Sequence, residues 1–108
     1  MASSPLTATE ADSLLIELRA MALLAPGQNA AALDRARAIA SRLRTLDPSP
    51  FAVGRRADRA CKLIEILLSS RRWKTEAVSV DSLRKSIKSE CDRLRVATEG
   101  ALARRRTG

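Results

Sequence analysis

Apolar side chains recur at intervals of three and four residues through almost the whole chain, and two clusters of chain-breaking residues interrupt them: Pro26-Gly27-Gln28-Asn29 and Asp47-Pro48-Ser49-Pro50. That spacing belongs to amphipathic helices, and no stretch shows the alternation or β-branched enrichment of a strand. The fold class expected is all-α. Apolar residues are 45% of the 108, enough for one core, but aromatics are 2%, Phe51 and Trp73 alone. The core must be aliphatic, and at this length there is only one.

Four helical segments follow. The first begins after Pro5 with the capping-box pattern Thr7-x-x-Glu10 and runs to about Ala25. Leu14, Leu15, Leu18, Met21, Ala22 and Ala25 repeat at helical spacing, while Ile16, Leu23 and Leu24 spread apolar surface round the cylinder. The second, about 30–46 with Asn29 as N-cap, puts Leu33, Ala36, Ile39, Ala40, Leu43 and Leu46 on one face. The third, about 50–70, buries Val53, Ala57, Ala60, Ile64, Leu67 and Leu68, with Cys61 at the edge. The last begins near Ser79 or Asp81. There Val80, Ile87, Leu94 and Ala101 recur every seven residues, with Leu83 and Ala97 between them, as in a coiled-coil seam that Glu90 interrupts. Together these predict a disordered lead over 1–6, one helical domain over 7–102 and a flexible basic tail over 103–108. The domain is a bundle of three to four helices completed by homodimerisation.

Charge is distributed unevenly. Residues 1–50 hold five acids and five bases, and the remainder holds seven acids and fifteen bases, so the entire net charge of +8 lies in the second part. Such segregation points to a polyanionic partner. Arg35 and Arg42 lie one heptad apart on one edge of the second helix, and Arg37 and Arg44 on the other. Arginines so placed either snorkel over apolar surface or meet an anion. In the third helix Arg55, Arg59 and Lys62 form a stripe opposite the buried face, with Arg56 to one side. Like charges at this spacing repel, which an external anion would offset. A further cluster, Arg71-Arg72-Trp73-Lys74, either adds cations or caps the core with its indole. In the last helix Arg84, Lys85, Lys88, Arg93 and Arg95 alternate with acids beside the seam, the pattern of a helical dimer interface.

Catalysis has little to work with. There is no histidine, which removes the commonest general base and the Ser-His and Cys-His nucleophile systems. Gly27, Gly54, Gly100 and Gly108 are too scattered for a phosphate-cradling loop. Cys61 and Cys91 stand apart without a metal-ligand spacing and read as buried free thiols. No cofactor, metal, small-molecule substrate or enzymatic activity is expected. No run of about 18 apolar residues suggests a membrane span, and MASSPLTATE has no secretory character, so a cytoplasmic chain is expected.

The stretch RRADRACKLIEILLSSRRWKTEAV, Arg55 to Val78, followed by a last helix over Ser79 to Leu94, resembles the small dsRNA-binding silencing suppressors of nodaviruses. The likeness lies in a basic helix, a Leu-Leu pair, a positively charged turn and a shorter final helix, in a short aromatic-poor chain without catalytic residues. It implies an antiparallel homodimer whose helices lie along A-form RNA, bind without regard to sequence and block processing of the duplex, in the host cytoplasm. Two helical segments before Pro48 depart from that plan, and no binding residue carries over.

The residues expected to bind duplex nucleic acid, RNA in preference to DNA, are Arg35, Arg42, Arg55, Arg56, Arg59, Lys62, Arg71, Arg72 and Lys74. The competing reading is a helical adaptor or chaperone-like subunit whose exposed first helix, led by Ile16, Leu23 and Leu24, is completed by another protein.

Overall fold

The structure, a computed structural model, describes residues 6–47, 50–69 and 80–107. It has four α-helices: α1 (Ala8–Ala20), α2 (Ala30–Arg44), α3 (Arg55–Leu68) and α4 (Val80–Thr107). A 3-10 turn, Met21–Leu23, follows α1, and a π-helical turn, Pro50–Gly54, leads into α3. No strand occurs among the described residues.

Interhelical ion pairs reveal the topology. Glu17 meets Arg35 and Glu10 meets Arg42, so α1 and α2 run in opposite directions. Arg44 meets Asp58 and Arg37 meets Glu65, which sets α3 antiparallel to α2. Arg95 with Asp12, and Arg19 with Asp92, set α4 antiparallel to α1. The helices form a ring in which α3 touches α2 and α4, and α1 touches α4 and α2. This is an up-down-up-down bundle, with the α1/α2 side opposite the α3/α4 side.

Capping explains where α1 and α2 begin. The Thr7 hydroxyl oxygen accepts from the Glu10 amide at 3.1 Å and its proton goes to the Glu10 carboxylate; Asn29 Oδ1 accepts from the Ala32 amide at 3.2 Å. α1 stops short of Ala25 because its last turn tightens and Arg84 takes the free carbonyls. The guanidinium donates to Ala22 O at 3.0 Å and Leu24 O at 3.1 Å. Gly27, at φ +118°, then turns the chain so that its amide, and that of Asn29, donate to Leu67 O and Leu68 O at 2.9 Å. The α1–α2 connection thereby satisfies carbonyls that α3 leaves open at its end.

The core is aliphatic. On α3 and the turn before it the side chains of Val53, Ala57, Ala60, Ile64, Leu67 and Leu68 are all buried, as the periodicity requires. On α2 the same holds for Ala36, Ile39, Ala40 and Leu43, and just past its end for Leu46, while Leu33 packs at the margin. α4 departs from the expectation of an open dimer seam. Leu83, Ile87, Cys91, Leu94 and Ala101 are buried within the chain itself, so the seven-residue repeat is consumed by α1 and α3. The basic tail also differs: α4 stays helical to Thr107, because Arg104 pairs with Asp47 at 3.2 Å and Arg105 donates to Leu6 O at 3.2 Å. Leu6, expected in the disordered lead, is buried. Gly54 lies under the Arg44 stem, where an added Cβ would meet Cγ at 3.4 Å.

Gly27→Ala should lower stability by about 1–3 kcal/mol, since a side chain at this φ is strained even though open space surrounds it. Urea unfolding of the two chains checks this, and an unchanged midpoint would show that the turn does not hold α3's end.

Candidate nucleic-acid interface

Ion pairing divides the cations into two populations. All four arginines of α2 meet acids of its neighbours or of its own helix. Arg35 donates to Glu17 at 2.5 and 2.9 Å, and this holds the Glu17 carboxyl below its usual range. Arg42 lies 3.7 Å from Glu10, Arg37 lies 3.8 Å from both Asp34 and Glu65, and Arg44 pairs with Asp58. The two cationic edges of α2 therefore exist, but each faces a matching acidic edge. Arg35 and Arg42 sit on the α1/α2 side, opposite the α3/α4 side.

The second population gathers between α3 and α4. A groove of about 610 Å³ runs along this contact, lined by Arg59, Lys62 and Leu63 from α3 and by Lys85, Ser86, Ser89, Glu90 and Arg93 from α4. Arg55 extends the α3 row by one turn, and Arg56 reaches the same place from the side. Two acids of these helices turn away, Asp58 toward Arg44 on α2 and Asp92 toward Arg19 on α1. Six cations, Arg55, Arg56, Arg59, Lys62, Lys85 and Arg93, thus lie in or beside this groove, and among the described residues one carboxylate lines it.

That carboxylate is Glu90, and it is buried. Its Oε1 accepts from Arg93 Nη1 at 3.1 Å and lies 3.9 Å from Arg59 Nη1; its Oε2 lies 3.7 Å from Arg56 Nη1 and has no hydrogen-bond partner among the described residues. Three guanidiniums around one carboxylate leave two positive charges unmatched. Arg55, Lys62 and Lys85 have no acidic partner among the described residues. Half-exposed arginines in this state keep outward N–H donors for a phosphate.

Of the nine residues expected from the sequence, the structure brings together Arg55, Arg56, Arg59 and Lys62, and separates Arg35 and Arg42 from them. Arg71, Arg72 and Lys74 lie outside the described residues. Lys85 and Arg93, which the sequence pattern assigns to a dimer flank, line the groove instead. Glu90 carried the readable signal: an acid at a core register position requires cations from a neighbouring helix. Ile16, Leu23 and Val96 are exposed at 56%, 67% and 71%, on α1, the turn after it and α4, whereas Leu24 is half-buried against the core.

No described helix is long and apolar enough to cross a membrane. The chain matches no family model, no curated protein and no solved structure.

Both thiols are protonated in the fold. Burial pushes Cys91 up to about 12, and burial also raises Cys61, whose Sγ donates to Ala36 O at 3.3 Å. A thiol whose folded value lies above the unfolded one, about 8.5, contributes stability that is complete below 8.5 and is lost as pH climbs toward 12. Urea unfolding between pH 8 and 10 should show stability falling with pH, with Cys91 contributing on the order of 1 kcal/mol per pH unit. Cys91→Ala should flatten that slope; an unaltered slope would contradict the assignment.

Proposed function

We propose that the protein binds double-stranded nucleic acid without regard to sequence, through the cationic α3/α4 face, and that it acts as a homodimer. The observation that carries this reading is the partition of charge: α2's arginines are matched by acids, while among the described residues six cations on adjoining helices gather about a single buried carboxylate. Surface cations left unmatched in rows suit regularly spaced phosphates. Readers of single-stranded bases rely on stacked aromatics, and only Phe51 and Trp73 are present in this chain. A backbone reader needs neither.

The preference for RNA rests on the likeness to the nodaviral suppressors, and with it goes the reading that the protein shields duplex RNA from processing. A second copy would extend the cationic track. Because the α4 repeat is used within the chain, another surface would join the two copies.

One observation favours a different reading. The exposed Ile16, Leu23 and Val96 supply apolar surface for a helical adaptor that takes a protein partner instead of nucleic acid.

Fluorescence anisotropy with dsRNA, dsDNA and a heparin competitor separates the two. If Arg55, Arg59, Lys62, Lys85 and Arg93 each neutralise a phosphate, the logarithmic salt slope should be about −4 to −5 per copy. Exchanging Arg59, Lys62 and Arg93 for glutamine together should weaken binding roughly tenfold or more, equally for every sequence. The double variant Arg35→Gln, Arg42→Gln should bind like the parent. A slope near zero, or equal losses in both variants, would overturn the proposal and leave the adaptor reading.

A further inference from the structure

Glu90 lies where a binding face for polyanions has least use for a negative charge. Among the described residues it is the one acid lining the α3/α4 groove, it is buried, and three of the face's six cations point at it. Gathering three guanidiniums around one point without a counter-charge would be unfavourable in the free protein, because like charges repel more strongly where water is partly excluded. The carboxylate offsets this repulsion. It does so incompletely, since one negative charge serves three positive ones and Oε2 accepts no hydrogen bond among the described residues.

We infer that Glu90 is the affinity-setting residue of this face: an internal counter-ion that holds Arg56, Arg59 and Arg93 together when no nucleic acid is bound and competes with phosphate for them when it is. The inference rests on the proposed duplex binding and concerns the control of that same site. Phosphate oxygens approaching the groove meet the outward donors of the same guanidiniums, while the fixed charge beneath repels them. Glu90 therefore exchanges affinity for stability of the free bundle. The cluster is tolerable alone because of the carboxylate, and binding is weaker than the cations by themselves would give.

This trade has a signature that a purely structural acid would not produce. Glu90→Gln keeps the shape and a hydrogen-bond acceptor for Arg93 but removes the charge. It should bind a dsRNA duplex roughly three- to tenfold more tightly at low salt. Its salt slope should be steeper by about one, because one more phosphate is effectively neutralised. Without duplex it should melt at a lower temperature than the parent, and the difference should shrink as salt screens the arginines or as duplex is added. Asp92→Asn is the control. It makes the same change in net charge two residues away, on the α1 side where Asp92 pairs with Arg19, and should leave affinity close to the parent's.

Tighter binding by both variants alike would assign the effect to total charge and overturn the inference. So would unchanged or weaker binding by folded Glu90→Gln. Should Glu90→Gln unfold with and without duplex, Glu90→Asp is read in its place. That variant draws the carboxylate back from the guanidiniums and should bind more tightly than the parent, with equal or weaker binding contradicting the idea. If the parent itself binds no duplex, the proposed function falls first, and the control of the site falls with it.

Discussion

Burial of one aliphatic stripe on α3, from Ala57 to Leu68, against two neighbours at once is the constraint on which the rest of the molecule depends. The stripe has no aromatic side chain to fill space, so small residues at Ala57 and Ala60 let helices approach closely while Ile64, Leu67 and Leu68 supply the bulk. Truncating a side chain such as Ile64 in a core like this costs about 2–5 kcal/mol. No surface ion pair in the protein approaches that value, since exposed pairs contribute about 0–1 kcal/mol each. Packing therefore decides which helix edges meet, and the charges are distributed as packing dictates.

Once α3 is placed between α2 and α4, its two polar flanks have different surroundings. One flank offers Asp58 and Glu65 to Arg44 and Arg37 of α2. The other offers Arg56 and Arg59 to α4, where Glu90 waits below the surface and Lys85 and Arg93 add further positive charge. Electrostatic pairing on the first flank and accumulation on the second come from the same sequence segment, separated by about half a helical turn. The bundle thus carries a balanced side and a cationic side. Such asymmetry has little effect on stability and a large effect on what the surface attracts.

The helices and the core were legible in the sequence because periodicity is a local property. Every buried position on α3 could be read from spacing alone, as could both cationic edges of α2. What spacing does not contain is the identity of the opposing edge. Arg35 and Arg42 look like free cations until α1 is laid against them antiparallel, which sets Glu17 and Glu10 in register. The α4 repeat is equally ambiguous: Leu83, Ile87 and Leu94 make the same pattern whether the groove they enter belongs to another copy or to α1 and α3 of their own chain. The tail misled for a related reason. Three consecutive arginines suggest fraying, yet Asp47 and the Leu6 carbonyl stand where Arg104 and Arg105 can reach them.

The most direct test of the central claim is a residue-resolved footprint, taken as backbone amide shift changes while a short dsRNA duplex is titrated into the labelled protein. Changes confined to 55–63 and 85–93, with α1 and α2 silent, are what a cationic α3/α4 face requires. Changes centred on Arg35 and Arg42, on Ile16 and Val96, or nowhere at all, would contradict it.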